Sequence, residues 1–261
     1  MKVVIIGASG FVGSYLAYEL ESAGHSVIKT DLPELDLLNA AQVDAFVANH
    51  SPDAVVNLAA ISSVRASWIY PTNTISVNVN GTLNLLEAVR KHAPKAKTLL
   101  IGSAEEYAIP KGYKALKETD PLGASNPYGI SKIAQENFAQ LYRQKYGMSI
   151  VCTRSFNHTG IGQTTTFALP SFVKQVATID KSGNPGKILV GNLSAWRDFS
   201  DVEDVVHVYR MLLENENEFD IYNVGSGIAN KIEDLLKDVI LKFTSVDIEI
   251  VVVPEKVRPV E

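Results

Sequence analysis

The segment Asn126-Pro-Tyr-Gly-Ile-Ser-Lys132 places a phenol and an ammonium group four residues apart. On a helix those positions share a face, so Lys132 is expected to lie beside Tyr128 and favour its anionic form. A tyrosine of ordinary pKa near 10 is a weak acid-base group at neutral pH, and an adjacent cation lowers a pKa by roughly one to three units. Such a pair suits the proton transfer that accompanies hydride transfer, with Ser103 upstream as a second hydroxyl. Far ahead of it stands Gly7-Ala-Ser-Gly10-Phe-Val-Gly13. A strand that enters this turn and leaves as a helix brings backbone N–H groups and the positive helix end up to a pyrophosphate. Asp31 ends the next apolar run, 18 residues after Gly13. A carboxylate there accepts hydrogen bonds from an adenosine ribose and repels a 2′-phosphate, which favours NAD(H). NADP(H) stays open, because the segment Asp31-Leu-Pro-Glu-Leu-Asp36 offers two acids and Lys29 is a nearby cation whose plainer reading is a solvated strand position.

These groups need a scaffold, and the alternation along the chain supplies one. Apolar runs at Val3 to Ile6, Ser26 to Thr30, Ala54 to Leu58, Thr98 to Gly102 and Ile150 to Ser155 read as strands. Helical patterns run from about Phe11 to Ala23, Asn39 to Asn49, Thr74 to His92 and Pro127 to Tyr146. The alternation predicts an α/β fold: a Rossmann-type doubly wound parallel sheet with helices on both faces. After Ser155 the rhythm breaks into a stretch rich in Gly, Thr and Asn, followed by the turn cluster Lys181-Ser-Gly-Asn-Pro-Gly186. A helix from Val202 to Leu213 and a strand from Ile221 to Val224 then return to the sheet. The expected division is therefore a dinucleotide-binding domain over 1–160 with 202–224, and a smaller C-terminal α/β substrate-binding region over 161–201 and 225–261.

Composition bounds the partners. The 261 residues are 46% hydrophobic, enough for a sizeable core. A net charge of −5 with no local Lys/Arg cluster argues against nucleic acid. Cys152 lies in an apolar run and reads as a buried strand thiol. No His/Cys/Asp group has metal-ligand spacing, so no metal is expected. The apolar start is too short for a signal peptide or a membrane span, which makes the cytoplasm the expected compartment and a membrane partner unexpected.

The glycine turn, Asn57-Leu-Ala-Ala60, Asn78-Val-Asn-Gly-Thr82 and the Ser103, Tyr128, Lys132 set resemble the extended short-chain dehydrogenase/reductase family of nucleotide-sugar epimerases, 4,6-dehydratases and 4-keto reductases. Residue 57 is more often His in relatives; Asn57 departs from that pattern, and the turn after it is expected to survive. The resemblance implies a cofactor site of Gly7, Ser9, Gly10, Phe11, Val12, Gly13, Asp31, Asp36, Leu37, Leu58, Ala59, Ala60, Asn78, Tyr128, Lys132 and Ser155. It implies catalysis by Ser103, Tyr128 and Lys132 with Glu105, and sugar contacts from Ser62, Ser63 and Ser103. The segments Arg154-Ser-Phe-Asn-His-Thr-Gly-Ile-Gly-Gln163, Arg197-Asp-Phe-Ser-Asp-Val-Glu-Asp204 and Arg258-Pro-Val-Glu261 look most like GDP-4-keto-6-deoxy-mannose reductases. That likeness implies a GDP-sugar partner, with Asn157, Arg197 and Arg258 holding the diphosphate, since guanidinium groups fork onto phosphate oxygens.

The reaction turns on Gly102-Ser-Ala-Glu-Glu-Tyr-Ala108. In the family a Glu corresponding to Glu105 is the base of 4,6-dehydratases, and some carry an Asp where this chain has Ala104. The Phe-Asn-His-Thr-Gly segment and the compact Asp31 to Asp36 connection favour the reductase. GDP-mannose 4,6-dehydratase and UDP- or dTDP-sugar 4-epimerase are the enzymatic alternatives, and a redox-sensing or scaffolding NAD module is the non-enzymatic one. Glu106 reads as a solvated acid, His158 as a loop anchor, and Trp68 either flanks the sugar or fills a helix-packing surface. The family also implies a homodimer, through the helices at Thr74 to His92 and Pro127 to Tyr146. Relatives run some tens of residues past Arg-Pro-x-Glu, so the substrate region is expected to be C-terminally incomplete.

Overall fold

Apolar runs such as Val3 to Ile6 and Ile150 to Ser155 are buried on both sides, as parallel strands covered by helices must be. In the computed structural model, which describes residues 1–109, 112 and 115–257, the first part of the chain runs β1 (Lys2–Ile6), α1 (Phe11–Ser22), β2 (Ser26–Thr30), α2 (Ala40–His50), β3 (Ala54–Asn57), α3 (Val64–Ile69), α4 (Pro71–Ile75), α5 (Gly81–His92), β4 (Lys97–Ser103), α6 (Pro127–Tyr146) and β5 (Ile150–Ser155). There follow β6 (Asn157–Thr159), α7 (Ala168–Ser182), β7 (Gly186–Val190) and β8 (Trp196–Asp201), then α8 (Val202–Glu214), β9 (Ile221–Val224), β10 (Ala229–Lys231), α9 (Ile232–Phe243) and β11 (Ile248–Val252).

The chain divides into two units, residues 1–156 with 202–224, and residues 157–201 with 225–261. The first unit carries six parallel strands in the order β2-β1-β3-β4-β5-β9. Alternate residues of β1 feed opposite layers: Val4 and Ile6 pack with α2, α5 and α6, whereas Val3 and Ile5 pack with α1 and α8. Strand order reverses between β1 and β3, the position at which open α/β sheets hold ligands beyond the carboxyl ends of their strands. The second unit contains the sheets β10-β8-β6 and β11-β7 and its own core around Phe172, Val176, Ile188 and Leu236. Residues 157–160, assigned from sequence to the first domain, open the second unit, because β6 pairs with β8 and not with the six-stranded sheet.

One expected helix is not uniform. Between α4 and α5 the chain makes a π-helical turn, Ser76–Asn80, where the sequence pattern predicts unbroken α-helix from Thr74 to His92. Such turns insert a residue into the helical ladder and are frequent at functional sites. Here the turn carries Asn78, whose side chain accepts from Ile61 N at 2.8 Å and donates to Ser131 Oγ at 2.9 Å. The loop after β3 is thereby tied to α6.

Candidate active site

The glycine turn lies at the switch point. Gly7 has φ +84°, and a Cβ there would stand 2.8 Å from the backbone N of Ala59. At Gly13 a Cβ would meet Gly7 O at 2.3 Å and Ala8 Cα at 2.7 Å. Only glycines let the turn, the start of α1 and the Leu58-Ala59-Ala60 stretch close on one another. Gly10 caps α1 without a side-chain hydrogen bond and no acid occupies the first turn, so the helix keeps its N–H groups and positive end for an anion. Phe11 and Val12 brace the turn by packing against the apolar layer beneath. The turn is pinned to β2, since Gly7 N and Ala8 N both donate to Thr30 O. Asp31 follows directly, accepting from Ser9 Oγ and, through Oδ1, from Leu32 N at 2.9 Å. Lys29 pairs with Glu21 at 2.8 Å.

Asp36 and Leu37 serve the scaffold. Asp36 Oδ1 accepts from Leu38 N at 2.9 Å, and the Leu37 side chain is in the core while its carbonyl accepts from Asn84 Nδ2. The Leu37 side chain is thus taken up by packing. Ser155 likewise turns its hydroxyl to Tyr209 OH, at 2.6 Å. Asn57, despite its departure from the family pattern, holds the turn after β3: its Oδ1 accepts from Ala59 N and its Nδ2 donates to Thr82 Oγ1.

The proton-transfer groups meet where β4 ends and α6 begins. Asn126 caps α6 by accepting from Gly129 N at 2.9 Å, and Pro127 follows at the first helical position, where a missing N–H costs nothing. This start places Tyr128 and Lys132 on the buried face, with the Ser103 side chain beside Tyr128. Burial raises the phenol above its ordinary value, and the neighbouring Ser103 hydroxyl pulls the other way. Lys132 Nζ donates to Ile101 O at 2.6 Å and to Gln135 Oε1 at 3.2 Å, and stands 6.0 Å from the centre of the Tyr128 ring. Burial lowers the ammonium to about 8. The expected depression of the Tyr128 pKa by Lys132 is thus corrected: desolvation of the phenolate dominates, and the ammonium is directed at a β4 carbonyl.

Glu105 and Glu106 part company in a 3₁₀ turn, Ala104–Glu106. Glu105 Oε2 accepts from Asn126 Nδ2 at 2.8 Å, so this carboxylate is tied to the cap of α6. Glu106, expected in solvent, is fully buried, with Oε1 accepting from Ser103 N at 2.7 Å. Together with Ser103 Oγ accepting from Glu105 N this is a capping box, and its Ser-x-x-Glu signature stands in the sequence at Ser103 and Glu106. The pair Arg154 and Glu136 lies outside the residues expected from the sequence. Arg154 donates from Nε and Nη2 to both Glu136 oxygens, at 2.9 and 2.7 Å. An Arg in a strand paired with an acid on the preceding helix leaves no local signal.

Ser63 caps α3, accepting from Ala66 N at 3.2 Å, beside the exposed Ser62, and Trp68 is exposed on α3. In the second unit Asn157 lies on β6 and Arg197 on β8, where Arg197 Nη1 donates to Trp196 O. Arg258 lies outside the described residues. Among the described residues no group of three or more His, Cys, Asp or Glu is placed to hold a metal ion, and no helix is long and apolar enough to cross a membrane.

A family model described as NAD dependent epimerase/dehydratase family matches residues 3–225. The GDP-6-deoxy-D-mannose reductase of Pseudomonas aeruginosa is 31% identical across 100% of this chain and 86% of its own. Two solved structures share the fold closely. The structure of RMD from Pseudomonas aeruginosa complexed with NADPH has a TM-score of 0.85 at 28% identity, covering 98% of this chain and 88% of that one. The UDP-glucose 4-epimerase of Thermus thermophilus, in complex with NAD, has a TM-score of 0.84 at 27% identity, with 98% and 88% covered.

Proposed function

We propose that the chain, which belongs to the NAD dependent epimerase/dehydratase family, is a nucleotide-sugar oxidoreductase that reduces the C4 ketone of GDP-4-keto-6-deoxy-mannose with Tyr128 as general acid. The observation that carries this reading is the buried Tyr128, lying beside the Ser103 side chain on a helix that also buries Lys132. The glycine cradle at Gly7 and Gly13, with Asp31 beside it, fits a dinucleotide. NAD(P)H, when bound there, supplies the hydride. A ketone oxygen set between the two hydroxyls accepts a hydrogen bond from each, which stabilises the negative charge as the carbonyl is reduced. Tyr128 holds its proton until that charge develops, because burial keeps the phenol protonated, and it then gives the proton to the alkoxide. Lys132, still protonated below about pH 8, offsets the phenolate left behind.

One observation favours reduction over dehydration: Glu105, the residue a dehydratase would use as base, has an oxygen engaged by Asn126. The similarity to a GDP-6-deoxy-D-mannose reductase over the full chain supports a GDP-sugar. Asn157, Arg197 and Arg258 are proposed to hold its diphosphate. A homodimer through α4, α5 and α6 belongs to the same reading, supported by the exposed Ile130 and Leu141 on α6; light scattering at micromolar concentration tests it, and a monomer would refute it.

The decisive assay offers the protein GDP-4-keto-6-deoxy-mannose and, separately, GDP-mannose, following NADH and NADPH consumption and the sugar product by mass spectrometry. Consumption of reduced cofactor with the keto sugar is expected. Loss of water from GDP-mannose without net cofactor use would instead identify a dehydratase. Tyr128→Phe is expected to lower kcat by about 10² to 10⁴ with cofactor affinity unchanged; turnover at the wild-type rate would overturn the assignment of Tyr128.

A further inference from the structure

Glu106 takes no part in the chemistry described above, and its surroundings are costly for a carboxyl. It is fully buried, and its Oε2 has no hydrogen-bond partner. The nearest cation contact is Arg154 Nε at 3.9 Å from Oε2, and the guanidinium is already committed to both oxygens of Glu136. A buried acid in that position is retained only if something else requires it. The requirement is visible at Oε1, which accepts the N–H of Ser103 at 2.7 Å. Ser103 is the last residue of β4, and Glu106 supplies the acceptor for its N–H there. Space for the carboxyl is provided by Gly102, where a Cβ would stand 2.4 Å from Glu106 Oε1.

We propose that Glu106 is a positioning residue for the reaction: its carboxyl fixes the backbone of Ser103, and so the direction of the Ser103 hydroxyl toward Tyr128. The inference rests on the assignment of Ser103 and Tyr128 to ketone reduction. Glu106 does not touch the reacting atoms, and it acts through one hydrogen bond and through the packing of the 3₁₀ turn that ends at it. Arg154, Glu136 and Tyr107 form the floor beneath, since Arg154 Nη1 donates to Tyr107 OH at 3.1 Å and Glu136 lies on α6. The strand end carrying Ser103 and the helix carrying Tyr128 therefore share one buried polar base. Burial holds Glu106 in its neutral form against the pull of the Ser103 N–H, Lys132 and Arg154, with Glu136 acting in the same sense as burial. A neutral carboxyl and a carboxamide have nearly the same shape and both offer an acceptor, so glutamine should replace it.

The test compares Glu106→Gln and Glu106→Leu, each alone and combined with Ser103→Ala. Kinetics are measured on the sugar the wild type turns over, and hydrogen exchange is followed on the peptide spanning the end of β4. Glu106→Gln is expected to keep kcat within about threefold and to keep the Ser103 amide protected. Glu106→Leu is expected to lower kcat at least tenfold, leave the NADH dissociation constant within twofold, and expose that amide to exchange. In the Ser103→Ala background Glu106→Leu should cost less than threefold, because a residue that acts through Ser103 has little left to position. Additive losses in the double mutant, a Gln variant as impaired as Leu, or an unchanged amide in Glu106→Leu would each overturn the inference. A wild type that consumes no reduced cofactor when given the keto sugar would refute the reductase reading, while amide exchange would still decide whether Glu106 holds Ser103.

Discussion

Replacing Arg154 by Met should be among the most damaging single changes in the first unit. The guanidinium is 4% exposed and the Glu136 carboxylate 9%, and the two are joined by a bidentate contact of 2.9 and 2.7 Å. Arg154 also donates to Tyr107 OH and, at 2.9 Å, to Glu118 O. Tyr107 retains its bond to Asn223 Oδ1 and Glu118 is at the surface, so neither is stranded by the substitution. Glu136 is stranded, and breaking a buried pair from one side costs about 3–5 kcal/mol. At roughly 2–4 °C per kcal/mol for a unit of this size, the melting temperature should fall by about 6–20 °C. Urea denaturation followed by circular dichroism measures the loss. The double variant Arg154→Met/Glu136→Leu should recover at least half of it, since replacing both partners by apolar side chains removes the uncompensated charge. A single variant within about 1 kcal/mol of wild type, or a double variant no more stable than the single, would refute the account of this pair.

Gly13→Ala places a methyl 2.3 Å from Gly7 O, a backbone atom that cannot step aside; NADH affinity should drop more than about tenfold in a fluorescence titration, and an unchanged affinity would contradict the cradle. Asp31→Ser removes the carboxylate that Ser9 engages, and the ratio of NADH to NADPH dissociation constants should move toward NADPH by about tenfold, the equivalent of one charge-assisted hydrogen bond. A ratio that stays put would mean that Asp31 does not face the ribose. Stability should also depend on Glu106. Its folded pKa is raised from 4.5 to about 8 by burial, so the folded protein holds a proton that the unfolded chain releases. The associated stability is complete below about pH 4.5 and is lost as pH rises through about 8. Urea midpoints measured at pH 5 and pH 8 should therefore fall more in wild type than in Glu106→Gln, and equal slopes would argue for an ionised Glu106.

Legibility in the sequence follows the range of the interactions involved. Periods of two and 3.6 residues are local, and β2, β5, β9 and α6 occur where the apolar patterns place them. The glycine turn is local at Gly13, which answers to backbone atoms of Gly7 and Ala8, whereas Gly7 answers to the backbone of Leu58 and Ala59 in the distant loop after β3. In the second unit β6 and β10 have three residues each and owe their existence to pairing with β8. Such short segments carry no period of their own. The π turn at Ser76–Asn80 was hidden for a related reason: the side-chain bonds of Asn78 to Ile61 and Ser131 span 17 and 53 positions.

The same division runs through the candidate site. Sequence alone determined which groups are present and which of them share a helix face: Tyr128 with Lys132, four residues apart, behind an Asn-Pro helix start, and Ser103 three residues before an acid able to cap it. Tertiary structure alone decided how those groups are charged and aimed. Lys132 points at Ile101 O, the Tyr128 pKa rises because its phenol is buried, and Glu106 lies beneath Ser103 instead of in water. Residue identity sets a group's intrinsic proton affinity and reach. Its solvation and its partners come from β4, β5 and α6 meeting across long stretches of chain, and burial outweighed the neighbouring charge that the spacing advertises.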